Sequence, residues 1–340
     1  MKIRKLINLQ LMAYNTNTTG DTGLSAEMKT YYDKELIRLA GPKLVHDQFA
    51  QQRDIPKNGG KVIEFRKFNP LPKALTPLTE GVTPNGLKAT VSYQTSEVAQ
   101  YGSYLAYTDV LDLTAIDPTV LEFTRLNADQ AGRTLDTITR DVVNAGTQVN
   151  YVGDRLSRSL IQSTDTLKPY DIEFAAAILK GANTPEVDGG GYVAIVHPYV
   201  VFDLRTSQEF IEWHKYAAPQ ELFNGEVGRI GNVRIVESTE AKIWNDNTCP
   251  VISAGGGTVP AVYRSIFSTL VVGANAYATT KVTGGGLQQI IKPIGSGDDP
   301  LNQRGTIGWK AIKTAEILVD AYMIRIESAS KFSERVTSPN

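Results

Sequence analysis

Cysteine is nearly missing from this chain: one residue, Cys249, among 340. That excludes an intrachain disulfide framework and fits a reducing compartment. Histidine is almost as scarce. His46, His197 and His214 are too scattered for metal-ligand spacing and read as packing or surface residues. An excess of charge of one sign is lacking too. With 35 Lys and Arg against 36 Asp and Glu, the formal net charge is −1, so no global basic field draws the chain onto nucleic acid. No apolar run reaches the length of a membrane span.

Catalytic motifs are missing as well. "GEVGRIG" has the wrong glycine spacing for a dinucleotide fingerprint and leads into a strand. "DGGGY", "AGGGT" and "TGGGL" carry no Lys-Ser/Thr of a phosphate loop. Ser296 in "PIGSGDDP" lacks the nucleophile-elbow spacing, and Asp298 and Asp299 read as a solvated loop. Cys249, beside Pro250, reads as an ordinary thiol. No enzyme, cofactor or metal is expected.

What is present is a folded composition: 41% hydrophobic and 21% charged residues, enough for one large or two ordinary domains. "MKIRKLINLQLMA" imitates a signal peptide, but Asn8 and Gln10 break its apolar stretch. We read it as an N-terminal extension, with Met12 as a candidate start. "AYNTNTTGDTG" reads as a polar arm. A helix is expected from Ser25, with Met28, Tyr32, Leu36 and Leu39 on one face, ending at Gly41 and Pro42. One or two further helical turns are expected over 42–50.

"RKFNPLPKALTPLTEGVTPNGLKATVSYQTSE", residues 66–97, is unusual for a soluble domain. Its prolines forbid a helix. Its second half alternates, with Leu87, Ala89, Val91, Tyr93 and Thr95 on one face. Ten such residues span about 33 Å, and the strand is expected to run on toward Tyr101. A lone two-stranded hairpin needs a surface to cover its apolar face. That cover comes from the rest of this chain or from another chain.

The longest regular element follows. Asp117 caps it, Pro118 takes the first helical position and Gly146 closes it. Leu121, Thr124, Ala128, Ala131, Leu135, Ile138, Val142 and Ala145 make one narrow stripe, expected to lie across a sheet. Asp129–Arg133 and Asp136–Arg140 are expected as i,i+4 pairs on the outer surface. From about residue 165 helices and strands alternate: a helix over "PYDIEFAAAILKG", a buried strand at "YVAIV", helix over "PYVVFDLRTSQEFIEWHKYA", and strands at "GNVRIVES" and "AVYRSIFSTLVVG". "TIGWKAIKTAEILVDAYMIRIESAS" reads as two strands of one sheet joined at Thr314–Ala315.

Arm, long hairpin, strut helix, α/β unit and closing strands come in a recognisable order. The stretches "YYDKELIRLAGPKLVHDQFAQQRDIPKNGG", "LDLTAIDP", "QAGRTLDTITRDVV", "WHKYAAPQELFNGEVGRIGNVRIVES" and "GWKAIKTAEILVDAYMIRIE" together resemble the major capsid proteins of tailed bacteriophages, of the phage N-four type. They cover most of residues 25–328.

The resemblance implies an α+β, Hong Kong-type capsid fold. Residues 1–24 would be the N-terminal arm, 25–54 N-terminal helices and 55–101 an extended β-hairpin loop. Residues 102–164 would be a peripheral domain with spine helix 118–146, 165–275 an α/β axial domain, and 276–340 the return to the peripheral sheet with a tail. It implies an inter-subunit loop carrying Pro70, Leu71, Pro72, Lys73, Pro77, Leu78, Glu80, Pro84 and Lys88. It also implies spine packing through Leu121, Ala128, Ala131, Leu135, Ile138 and Val142.

Hexamers and pentamers of the chain would close an icosahedral shell around double-stranded DNA, held without sequence-specific binding. The virion would be assembled in a bacterial host's cytoplasm, with a portal and separate scaffolding or decoration proteins as partners and no membrane. About two dozen residues before the first helix are too few for a built-in scaffold. Lys73 and Lys88 flank the loop tip, but no partner Asn or acidic catalyst is evident, so no cross-linking is expected. An encapsulin-like nanocompartment shell is the alternative. A ligand-binding α/β protein has weaker support, because Trp213, Trp244 and Trp309 lie far apart in sequence.

Overall fold

The computed structural model describes residues 36, 44–54, 61–68, 71–78, 80–83, 85–114, 119–187, 190–207, 226–253, 261–281, 287–295, 299–336 and 339–340. In chain order its elements begin with β1 (Gln51–Arg53), β2 (Val62–Phe68), β3 (Val91–Glu97), β4 (Ala99–Thr108), α1 (Asp109–Thr114) and α2 (Thr119–Val143). Then come β5 (Val149–Tyr151), α3 (Pro169–Gly181), β6 (Tyr192–Val196), α4 (Pro198–Thr206), β7 (Glu226–Ile230) and β8 (Val233–Glu237). The chain continues through β9 (Ile243–Trp244), β10 (Val251–Ser253), β11 (Val262–Tyr263), β12 (Ile266–Val272) and β13 (Tyr277–Thr280). It closes with β14 (Leu287–Lys292), β15 (Arg304–Lys313), β16 (Ala315–Ile317) and β17 (Met323–Ser328).

The large sheet runs β5-β17-β12-β6-β8-β7, with β9 also paired to β12. Its central strand β6, "YVAIV", is buried on both faces, as a strand with cover on each side must be. On one face, Ala194 and Val196 of β6 meet Ile172, Ala175 and Leu179 of α3 and Val200 and Leu204 of α4. On the other, Val193 and Ile195 meet Val143 at the end of α2, Tyr277 of β13 and the side chains of Val45 and Phe49. His197 starts α4 by accepting the backbone N–H of Tyr199 at 3.2 Å, with Pro198 at the first helical position. Burial of its ring lowers its pKa to about 4.

A second sheet, β14-β15-β4, is antiparallel and carries α2 on its inner face. At Gly305 of β15, a Cβ would lie 2.4 Å from the Tyr107 ring of β4, so the close approach of ring to strand requires glycine. A third small sheet, β1-β13-β16, joins the two larger ones.

Several expectations change. Leu36 is helical and fully buried, while Ser25, Met28, Tyr32, Leu39 and the 56–60 turn lie outside the described residues. Residues 45–49 form hydrogen-bonded turns, Gln48 N–H to Val45 O and Ala50 N–H to Asp47 O, in place of helix. The hairpin's returning strand starts at Val91, and Ala99 begins a strand of another sheet. "TIGWKAIKTAEILVDAYMIRIESAS" makes three strands in three sheets. β17 is an inner strand of the large sheet, next to its edge strand β5 and paired with β12 on the other side, and does not share a sheet with β15. A pattern of apolar residues reports burial but not which sheet supplies it.

Candidate functional site

The β2–β3 hairpin is the most conspicuous exposed feature. The strands pair antiparallel from Val62↔Glu97 to Phe68↔Val91, and the alternation splits the ribbon into two faces. Ile63 and Phe65 point to the body, where they are buried with Ala278 against Val98 and Leu318. Ser96 and Thr314 hydroxyls meet at 2.6 Å, and the Gln94 amide donates to Glu316 at 3.0 Å. The root is therefore fixed to its own chain.

The other face is bare. Val91, Tyr93 and Thr95, the apolar set of the alternation, are exposed, so the sequence pattern marks the surface turned away from the body. Toward the tip, Leu71, Pro72, Lys73, Pro77, Leu78, Glu80, Leu87 and Lys88 are all exposed, with Leu75 at 82% and Leu78 at 77%. Pro70 and Pro84 lie outside the described residues. Large apolar side chains gathered on one projecting ribbon are an interaction surface or an aggregation hazard.

The 25-residue helix α2, about 37 Å long, ties the sheets together. It ends at Val143, short of the expected 146; Asp117 and Pro118 lie outside the described residues, and Gly146 follows the last turn with its N–H on Val143 O. Through its middle, Ala128, Ala131 and Leu135 are buried against Leu287, Trp309 and Ala311, with Ile138 half-buried beside them. Asn127 donates to Ile307 O at 3.1 Å, and Trp309 Nε1 donates to Gln130 at 3.1 Å. Leu121 and Val142 are half-buried.

Toward the C-terminus the buried face turns, to Asp136, Thr139, Arg140, Val143 and Asn144. The helix leaves one sheet for the other, and a wider arc is covered than one stripe. Arg325 of β17 then donates to the carbonyls of Asn144 and Gly146, a cation on the carbonyl end of the helix. Arg325 is itself held by Glu327 at 2.9 Å, which also takes two bonds from Arg158 at 2.6 and 2.8 Å.

The expected Asp136–Arg140 surface pair is not formed; both side chains are buried. Asp136 accepts from the His46 backbone N–H at 2.8 Å and lies 2.7 Å from His46 Nδ1. Asp47 accepts from Thr139 at 2.6 Å and pairs with Lys313 Nζ. The Tyr277 hydroxyl donates to His46 O, and burial, with the Asp47 and Asp136 charges adding, raises its pKa well above the ordinary phenol value. Arg140 donates to Glu240 O at 2.9 Å and pairs with Asp141 at 3.0 Å. Arg133, on the exposed side, pairs with Glu240 at 2.8 Å. Polar residues at core-facing helix positions were the available signal, but i,i+4 charge spacing suggested a solvated face instead.

Among the described residues no cluster of three or more His, Cys, Asp or Glu could hold a metal, and no helix is long and apolar enough to cross a membrane. Asp299 caps its own loop, accepting the backbone N–H of Gln303 at 3.0 Å and of Leu301 at 3.3 Å. Cys249 is buried, which pushes its thiol pKa up. His214, Trp213, Ser296 and Asp298 lie outside the described residues.

No protein-family model and no curated protein matches the sequence. Solved structures do. The chain is similar to the capsid of Ralstonia phage GP4, with TM-score 0.61 and 15% identity over 86% of this chain and 89% of that one. It is similar to the capsid of cyanophage P-SCSP1u, with TM-score 0.58 and 15% identity over 83% and 87%. It also matches the holo-SrpI encapsulin complex from Synechococcus elongatus, with TM-score 0.53 and 8% identity over 83% and 86%. The chain has the mixed α+β fold of tailed-phage capsid subunits.

Proposed function

We propose that this chain is the major capsid protein of a tailed bacteriophage, a structural subunit with no catalytic role. It assembles as hexamers and pentamers into an icosahedral shell that encloses double-stranded DNA. The observation that carries this reading is the hairpin: a rooted ribbon whose outward face and tip bear uncovered leucines, prolines and Tyr93. A neighbouring subunit supplies the cover that its own chain does not. The capsid-subunit fold supports the same reading.

In this assignment residues 1–24 are the arm and 55–101 the inter-subunit loop, with Lys73, Glu80 and Lys88 at its polar rim. Residues 102–164 form the peripheral domain with the spine helix and 165–275 the axial domain; after 276 the chain adds β14 and β15 to the sheet that carries α2, and β17 then returns to the large sheet before the tail. The finer placement, with the phage N-four type, rests on the sequence stretches quoted above. The subunits join a portal, with scaffolding or decoration proteins as separate chains, in a virion assembled in the host cytoplasm.

The encapsulin likeness favours a second reading, a nanocompartment shell. Purified particles decide between them: packaged double-stranded DNA supports the capsid, and a folded cargo protein supports the compartment.

A further inference from the structure

Three lysine–carboxylate pairs stand among the described residues, and one is unlike the others. Lys242–Asp141 at 3.1 Å and Lys281–Asp54 at 3.6 Å lie where water reaches both partners. Lys313 and Asp47 are sealed between β15, α2 and the turn before β1, with the lysine side chain wholly buried and the carboxylate nearly so.

Both residues are held in place. Lys313 ends β15, where its backbone pairs with Ala99 of β4. The backbone carbonyl of Asp47 accepts the Ala50 N–H and the Gln52 side-chain amide. Its Oδ2 is in contact with Lys313 Nζ, and its Oδ1 accepts the Thr139 hydroxyl at 2.6 Å. Asp136, the other buried carboxylate of this joint, is taken by its two contacts with His46 and does not compete for the lysine.

Among the described residues no second acceptor reaches Nζ, which leaves two of the three N–H groups of an ammonium without a protein partner. An ion pair so placed is costly. Moving one proton from Nζ to Oδ2 gives a neutral amine against a carboxylic acid, nucleophile beside electrophile and already in contact.

We propose that Lys313 and Asp47 join in an amide bond within the folded chain, a self-modification made once per molecule. Nζ forms a bond to Cγ, and the Thr139 O–H meets the charge that develops on Oδ1. The Cγ–Oδ2 bond then breaks. Oδ2 leaves as water with two of the three Nζ protons, and the third stays on the amide nitrogen. One ammonium and one carboxylate become one neutral amide and one water, with no other reactant. The bond staples the turn that leads into the hairpin to β15. It lies inside one chain, is distinct from any link between subunits, and does not depend on the shell reading.

The test is the mass of the full chain, purified folded and then denatured. The wild type reads about 18 Da below the mass of its sequence, the loss of one water. Trypsin releases residues 44–53 and 311–325 as one branched peptide. The double variant Asp47→Leu, Lys313→Met, an apolar pair in the same space, keeps its full mass. Thr139→Val keeps the shape and drops the hydroxyl; freshly synthesised, it loses its water about a hundredfold more slowly than the wild type. Full mass in the folded wild type, with residues 44–53 recovered alone, overturns the proposal. So does a loss of water that the peptide map places at any other pair. An unchanged rate in Thr139→Val overturns the role of its hydroxyl.

Discussion

Asp136 holds His46 at two points, through the backbone N–H at 2.8 Å and the imidazole Nδ1 at 2.7 Å, with both side chains almost completely buried. The contact joins the turn that leads into the hairpin to the middle of the long helix. Asp47 and Lys313 extend the joint to β15. In the interior such a pair adds little over an apolar replacement, but removing one partner strands the other.

Asp136→Ala is therefore expected to destabilise the unassembled subunit by about 3–5 kcal/mol, and Asp136→Asn by less, because an amide oxygen still accepts the His46 N–H. Urea denaturation followed by circular dichroism measures both. Equal midpoints for wild type and Asp136→Ala would show that the buried joint contributes nothing.

Leu135 is fully buried between α2 and β15. Leu135→Asp places an unpaired carboxylate there, at a cost of several kcal/mol against a typical total stability of about 5–15 kcal/mol. The subunit should misfold or aggregate on expression. Arg133→Ala removes an exposed pair with Glu240, worth under about 1 kcal/mol, and should leave the melting temperature almost unchanged. Soluble Leu135→Asp with a normal melt would place that stripe on the surface.

His197 titrates at about 4 in the folded chain because its ring is buried, against about 6.5 unfolded. Between those values the unfolded chain binds more protons, so stability rises with pH. The contribution is fully present above pH 6.5 and is lost as pH falls toward 4. His197→Asn keeps an acceptor for the α4 cap, and its melting temperature should fall less steeply over that window. An identical slope in the two proteins would refute the assignment.

Much of this fold is legible in local sequence. Pro169 and Gly181 bracket α3, "YVAIV" is continuous enough to be a strand covered on both faces, and prolines in the 70–84 tip forbid helix. The less legible parts depend on long-range geometry. Asp136 and Arg140 have the spacing of a surface pair, and only the passage of α2 from one sheet to the other buries them. β17 has the pattern of any core strand; its place between β5 and β12 comes from the chain's return path. The hairpin's alternation is plain, but it does not say which face the body covers: Ile63 and Phe65 on the partner strand decide that, leaving Val91 and Tyr93 out.

With a formal net charge of −1, the chain provides no strong basic lining, so assembly is expected to proceed without nucleic acid. Nuclease-treated, purified subunits should form empty particles over a range of salt concentrations in light scattering. A strict requirement for DNA that weakens steeply with salt would contradict this.

The central claim is that the hairpin clasps a neighbouring subunit. Removing residues 70–86 and joining the strands through Asn-Gly leaves the root, Ile63, Phe65 and Ser96, in place. Negative-stain microscopy of the purified wild-type and deleted chains, with circular dichroism as a check on folding, tests the claim most directly. The account predicts closed shells from the wild type and a folded but unassembled subunit from the deletion. Closed shells from the deleted chain, or a wild-type chain that stays a folded monomer, would contradict it.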